Sequence, residues 1–410
     1  MTLAKHVPEG GYDLLIKGGQ LIDAKNGIYG KMDVAIHAGK VARVAVDIPA
    51  KDAKQVVDAA GLLVSPGLID MHAHHFFGTD PDTYLCNGAW ALPPDGFTFR
   101  SGVTTVLDTG GAGWRSFEQF KKQTIDTAAT RVLSLLNIVG AGMKGDAYEQ
   151  DKGDMDPGKT AEVAAHYPGV IVGVKLAHFL GADWQPTALT VAAGELSGLP
   201  VMIDFGRSEP PLSLETLFLE KLRPGDIYTH CYANVSGREA LVDHRGRLRP
   251  FVSKAREKGI WFDVGHGQAS FDFAQAVPAL AQGFQPDSIS SDLHTGCMNG
   301  GMKDLLNVLS KFINLGMPLP KVLQAATWNP ARCLGRPDLG QLSEGAVADI
   351  ALLKLREGRF GFVDASGKKI DGNLKLECEL TLREGKVVYD LNGLTALPWK
   401  QARPLHTVVN

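Results

Sequence analysis

The hydrophobic rhythm of the chain changes twice. Up to about residue 65 it reads as short β-rich pieces separated by glycine-containing turns: "YDLLIKGGQLID", "MDVAIHAGKVARVAV" and "KQVVDAAGLLVSPG". Alternation of this kind predicts strands joined by tight turns. The same texture returns near the end, in "GAVADIALLKL" and "LKLECELTLREGKVVYD". Neither end has room for a sizeable core of its own. The economical expectation is one small β domain assembled from residues 1–65 and 336–410.

Residues 66–335 follow another pattern. Apolar strand candidates lie near 68–73, 103–108, 132–139, 170–176, 200–205, 226–231, 260–265 and 288–292. Helical patterns such as "PTALTVAAGELSG", "LSLETLFLEKL", "FVSKAREKG" and "MKDLLNVLSKFINLG" fall between most of them. Eight strands alternating with helices over roughly 270 residues match a (β/α)8 TIM barrel in number and size. A doubly wound sheet is the alternative. In such a barrel the active site lies at the C-terminal ends of the strands, so the polar residues at which each apolar run stops become the candidates.

The first run ends in "LIDMHAHHFFGTD". His72 and His74 are two apart, so a strand points both imidazoles to the same side, where they can share a zinc-like metal. The bland alternative is two loop histidines. His75 points away and is read as structural. In the fourth run, "GVIVGVKLAHF", Lys175 interrupts an apolar strand. Burial lowers a lysine pKa, and a neutral amine can add carbon dioxide to become a metal-bridging carbamate. The competing reading is a lysine paired with a nearby carboxylate. His178 beyond it is a candidate for substrate contact. The sixth, seventh and eighth runs stop at His230, His266 and Asp292, with His294 just after. Five of the 12 histidines thus fall at strand ends on one face. Asp292 is placed for proton transfer, since a carboxylate beside a metal-bound water can accept its proton.

Composition removes some partners. The chain has 44% hydrophobic and 21% charged residues and a net charge of −3, which gives no reason to expect nucleic acid or an anionic membrane. No apolar stretch has signal-peptide or bilayer-spanning length. The 5 cysteines are odd in number and scattered, which favours free thiols and a cytoplasmic setting.

At this point the chain resembles the amidohydrolase superfamily of metal-dependent hydrolases. The resemblance runs nearly the whole length, through "DAAGLLVSPGLIDMHAH", "SGVTTVLDTG", "VGVKL", "THC", "SSDLH", "ATWNPA" and "GQLSEGAVADIALL". "FDVGHGQASF" and "SSDLH" narrow it to a deacetylase-like branch whose members are often labelled dihydroorotase. The resemblance implies a barrel with a flanking β-sandwich and one or two divalent metal ions, zinc first among them. His72, His74 and Asp292 would hold the more buried ion. Lys175, as a carboxylated lysine, would bridge to a second ion held by His230 and a strand-five histidine. Strand five here reads "LPVMIDFGRSEPP", with Asp204 in that histidine's place. Asp204 either ligates through oxygen or weakens the second site. A further departure is Phe76, where dihydroorotase-like enzymes carry the arginine of an HxHxR motif.

The expected chemistry is hydrolysis of a carbon–nitrogen or ester acyl bond by metal-activated hydroxide. Asp292 would shuttle the proton, and His266 would hydrogen-bond the substrate or the developing oxyanion. His294 and Arg207 are candidate substrate contacts, and Arg238 is a second cation able to grip a carboxylate. The long segments 75–100 and 140–158 are candidate specificity loops. A cyclic amidase of the dihydroorotase or hydantoinase type is the alternative, and a catalytically inactive scaffold a third reading. The expected partner is a small-molecule substrate, with no nucleic acid or membrane, and a homo-oligomer is expected as for many such barrels.

Overall fold

The computed structural model describes residues 7–401, and its strands form two sheets. The N-terminal part contributes β1 (Leu14–Asp23), β2 (Ile28–His37), β3 (Lys40–Ala45), β4 (Val56–Asp58) and β5 (Leu63–Pro66) to the first sheet. The second sheet then takes β6 (Leu68–Ala73), β7 (Val103–Gly113), β8 (Arg131–Asn137), β9 (Ile171–Phe179), β10 (Val201–Phe205), β11 (Ile227–Tyr228) and β12 (Trp261–Phe262) in sequence order, every pair parallel. The chain finally returns to the first sheet with β13 (Ile350–Val363), β14 (Lys369–Arg383) and β15 (Lys386–Asp390).

The two chain ends meet at β5 and β13, which pair antiparallel with Ile350 opposite Pro66 and Leu353 opposite Leu63. Ile16, Val34, Val64, Ile350, Leu352 and Leu380 share one buried cluster there. The hairpins at Ala38–Gly39 and Glu384–Gly385 turn with positive φ at both residues, the handedness that twisted two-residue loops require.

The parallel sheet curls until its two edges share a neighbour. Segment 288–293 bridges β12's extension on one side, Ser288 to Asp263, and β6 on the other, Leu293 to Ala73. Its backbone accepts from His266 N (3.2 Å) and Gly267 N (2.9 Å), while Asp292 N donates to the His72 carbonyl (2.6 Å). Helices pack between the strands where the periodicity placed them, including Gln185–Ser197, Phe251–Lys258 and Leu305–Asn314. Asp304 caps the last of these by accepting from Asn307 N. The expected helix over 212–222 is instead a helical turn, Leu214–Thr216, followed by a wider turn over Leu217–Lys221. No helix among the described residues is long and apolar enough to cross a membrane.

Strand lengths depart from expectation in one direction around the sheet. β6 spans the expected 68–73, and β7 runs on to Gly113. β11 and β12 shrink to two residues each, and the eighth run forms only isolated bridges. The cause is local. His230 (φ 58°), Gly265 (φ 47°), Gly267 (φ 50°) and Asp292 (φ 53°) turn left-handed just where the ladders stop. A non-glycine residue in that region costs about 1–3 kcal/mol and survives only where surrounding contacts over-determine it.

Candidate metal centre

β6 delivers His72 and His74, and the eighth segment delivers Asp292, to one point. One ligand atom from each lies within 4.8 Å of the others, and all three side chains are buried. His74 Nε2 is 3.0 Å and His72 Nε2 3.5 Å from Asp292 Oδ1. Behind them a hydrogen-bond chain sets the tautomer of His72. Thr229 donates its hydroxyl proton to Asp263 (2.8 Å), so it accepts from His72 Nδ1 (2.8 Å) and leaves Nε2 as a lone pair. Asp263 also accepts from Ser290 at 2.8 Å. Burial lowers the pKa of His72 to about 4 and that of His74 to about 3, so both rings are neutral. Burial works to raise the pKa of Asp292, while the surrounding rings of His72, His74 and His294, His74 through its hydrogen bond at 3.0 Å, bring it below its usual value.

The His72 Nε2 lone pair faces the Asp292 carboxylate, acceptor against acceptor. A divalent cation relieves that arrangement, and the Thr229 hydroxyl on the far nitrogen of His72 is the kind of outer partner that metal-bound histidines carry. The donor set of His72, His74 and Asp292 therefore fits a metal ion.

Gly265 and Gly267 permit this closeness. A Cβ at position 265 would sit 2.7 Å from His230 Nδ1 and 2.9 Å from His72 Nδ1, and one at 267 would sit 2.2 Å from Asp292 Oδ2. Their positive φ adds a second reason for glycine.

Lys175, Asp204 and His230 lie beside this cluster and are arranged otherwise. Lys175, fully buried, directs Nζ toward His72 Nε2 (3.4 Å), Met202 Sδ (3.6 Å) and Asp204 Oδ2 (3.6 Å), and its burial lowers its pKa. Asp204 Oδ1 accepts from Arg238 at 2.6 Å, while Oδ2 faces His230 Nε2 at 3.1 Å and His178 Nε2 at 3.4 Å. Burial works to raise the Asp204 pKa, but His230, Lys175, His178 and Arg238 overcome it and hold it well below the usual value. His230 donates Nδ1–H to the Gly265 carbonyl (2.7 Å). His178 (φ 52°) is gripped by Glu149 at 2.9 Å. Its pKa is raised to about 9, because Glu149 and Asp204 outweigh the effect of burial. With its oxygens already facing a guanidinium, a lysine and two imidazoles, Asp204 does not fit a second metal ion.

Tyr84, His178, Asp204, Arg207, Asp292 and His294 are among the residues lining an open cavity of about 690 Å³ over the cluster. His294 donates Nδ1–H to the Asp292 carbonyl (2.7 Å) and has no partner for its buried Nε2. Arg207 is exposed at the rim. His266 corrects its expected role. Its Nδ1–H goes to the Gly267 carbonyl (2.9 Å), Lys311 Nζ donates to its Nε2 (2.6 Å), and its ring stacks on Phe271. With both nitrogens committed it does not reach a substrate or an oxyanion. Arg238 likewise holds Asp204, which occupies it otherwise than as the free substrate clamp envisaged. His75 turns away, its Nδ1–H on the Leu92 carbonyl.

Several supporting residues escaped the sequence reading. Asp263 and Thr229 orient His72. Asp70 accepts from Ser291 N (2.9 Å), anchoring the eighth segment, and burial raises its pKa to about 7. Asp108 accepts from His75 N (2.6 Å) and Gly111 N (2.8 Å) and fixes the turn after β6. A lone acid inside an apolar run, the signal that marked Lys175, was present for Asp70, Asp108 and Asp263. Glu149 carried no such signal.

Comparison with known proteins places this geometry. The amidohydrolase family pattern matches residues 255–388. A deacetylase from Agrobacterium fabrum is 32% identical over 337 residues, covering 80% of this chain and 79% of its own length. The chain belongs to the amidohydrolase family. A deacetylase from Enterococcus faecalis is 29% identical over 409 residues, covering 97% and 98% of the two chains. Among solved structures, this amidohydrolase resembles an adenine deaminase with a TM-score of 0.81 at 27% identity, covering 93% of this chain and 100% of the other. It resembles a dihydroorotase with a TM-score of 0.77 at 27% identity, covering 92% and 99%. It is a hydrolase of a family that generally uses divalent metals.

Proposed function

We propose that this amidohydrolase is a deacetylase-type enzyme that hydrolyses an acyl amide or ester at a metal centre held by His72, His74 and Asp292. The observation that carries the reading is the convergence of those three buried ligand atoms within 4.8 Å of one another, with Asp292 also lining the cavity. The curled sheet and its bridged eighth segment support a (β/α)8 barrel over 66–335, with a flanking β-sandwich from 1–65 and 336–410; the outermost residues of both ends lie outside the described range. Free cysteines at all five positions accord with a reducing, cytoplasmic setting.

A bound divalent ion, zinc first by this nitrogen and carboxylate set, supplies Lewis acidity toward the acyl oxygen and makes water a nucleophile near neutral pH. The chain's own groups then handle orientation and protons. Asp292, ionised and lining the cavity, accepts the proton of the attacking water and returns it to the leaving nitrogen or oxygen. His294 Nε2 accepts an N–H or O–H of the substrate, and Arg207 meets an anionic group at the rim. Tyr84, whose pKa is raised chiefly by burial, stays a neutral donor on the cavity wall. His266 and Lys311 hold the Gly265–Gly267 turn rather than touch substrate.

The dihydroorotase form of the cyclic-amidase alternative loses ground at Phe76, a motif position that hydantoinases need not share. That side chain is fully buried, with its ring 4.9 Å from Phe120, so the HxHxR position offers nothing to a substrate carboxylate. The test is a panel of N- and O-acetylated carboxylic acids, hydantoins, dihydroorotate and adenine. Acetate release that falls about 10²–10⁴-fold in Asp292→Asn is expected. Turnover confined to cyclic ureides or to adenine would replace this reading, and near-normal turnover in Asp292→Asn would remove the proton shuttle.

A further inference from the structure

We infer that this site holds a single metal ion, and that Arg238 and His178 supply around Asp204 the positive charge a second ion would bring, with Lys175 remaining an unmodified amine. The inference rests on the metal centre proposed above and concerns the half of the site that faces it.

A carboxylate ligates through an oxygen lone pair with room for the ion. Asp204 offers neither oxygen in that state. It is 2% exposed, its Oδ1 is taken by Arg238 Nη2 at 2.6 Å, and its Oδ2 is faced by three nitrogens at 3.1, 3.4 and 3.6 Å. Guanidinium does not deprotonate in proteins. The Arg238 side chain is 8% exposed, so solvent and salt screen it little. A divalent cation drawn to Asp204 would have to share that carboxylate with a fixed positive charge. Among the described residues, the converging group of His, Cys, Asp and Glu ligands is His72, His74 and Asp292; Asp204, His230 and His178 do not join it.

Lys175 points the same way. Its Nζ lies between His72 Nε2, the Met202 thioether and Asp204 Oδ2. As an amine it donates to the first and is attracted to the last. Carboxylation would set a second anion against the Asp204 carboxylate, with no ion between to reconcile them. Glu149, on the outer side of His178 at 2.9 Å, is a second buried acid paired with a protein side chain.

The test uses the full chain, saturated with zinc in the presence of ¹³C-bicarbonate and then desalted. Elemental analysis should find one ion per chain, and ¹³C NMR should find no lysine carbamate carbon. His74→Ala should lower the count to none, and Asp204→Asn should leave it at one. Two ions per chain, a carbamate signal, or one ion retained in His74→Ala would each overturn the inference while leaving a metal site in place. No ion in the wild type would instead remove the metal centre itself. Should Asp204→Asn not fold, the wild-type count and the carbon spectrum still decide.

Discussion

His72 Nε2 and Lys175 Nζ are 3.4 Å apart, yet they belong to groups that handle buried charge in opposite ways. Around Asp292 the chain supplies an anion and neutral imidazoles, and orients the key ring from behind through Thr229 and Asp263. Around Asp204 it supplies an anion and sets the Arg238 guanidinium and the protonated His178 ring against it. The first arrangement leaves an imidazole lone pair against a carboxylate; the second meets both carboxylate oxygens with protein nitrogens. Fold alone places six candidate ligands at one end of one sheet, and the neighbours of each carboxylate decide which of them is left to bind.

That contrast can be broken at its strong side first. His72→Ala or His74→Ala should abolish stoichiometric metal binding, by elemental analysis, and bring hydrolysis to background. Metal retained at full stoichiometry would mean the two halves had been assigned the wrong way round. Next, Gly267→Ala should destabilise the protein by about 2–4 kcal/mol in chemical denaturation, since its Cβ would meet Asp292 Oδ2 at 2.2 Å and its φ is positive. A neutral result would show that Asp292 is free to move and that its geometry is not fixed by the turn. A smaller effect is expected from Thr229→Val, which removes the acceptor for His72 Nδ1–H. Metal affinity in chelator competition should fall about 10–100-fold, and an unchanged affinity would deny the outer hydrogen bond any part in the site.

The mildest test sharpens the other side. His178 has its pKa raised to about 9, against an ordinary value of 6.5; burial opposes the shift, and Glu149 and Asp204 drive it. The protonated ring is therefore favoured in the folded state. Its contribution to stability is present in full below about pH 6.5 and is lost as pH rises through about 9. Thermal unfolding of the wild type should decline across that window relative to His178→Gln. Parallel profiles for the two proteins would mean that charge pairing does not hold this half together.

Much of the arrangement was legible in the sequence, and the failures have physical causes. The pair at 72 and 74 was readable because strand geometry puts i and i+2 on one side, and β6 spans the expected residues. The shared terminal sheet was readable from strand texture repeated at both ends. His266 was misread although it follows the correct strand. The left-handed turns at Gly265 and Gly267 break the alternation that would have aimed it at the cavity, and they send it to Lys311, 45 residues on. Lys311 itself was hidden, because a lysine within an amphipathic helix pattern normally reads as solvated. The compensation of Asp204 was equally invisible. Arg238 and Glu149 sit in segments without periodicity, and pairing across 34 positions to Asp204 and 29 to His178 has no local signature.

The seam between β5 and β13 bears on how the protein is made. β5 leaves the ribosome early, but its partner follows roughly 280 residues later, since Pro66 sits opposite Ile350. At translation rates of ~5–20 residues per second that interval lasts about 15–60 s. Throughout it, the edge of β5 and the apolar face carrying Ile16, Val34 and Val64 await the strand that covers them. A strand synthesised well before its partner is thus among the last to be sealed, and a ribosome stalled before Ile350 would present an open sheet edge to any chaperone or neighbouring nascent chain.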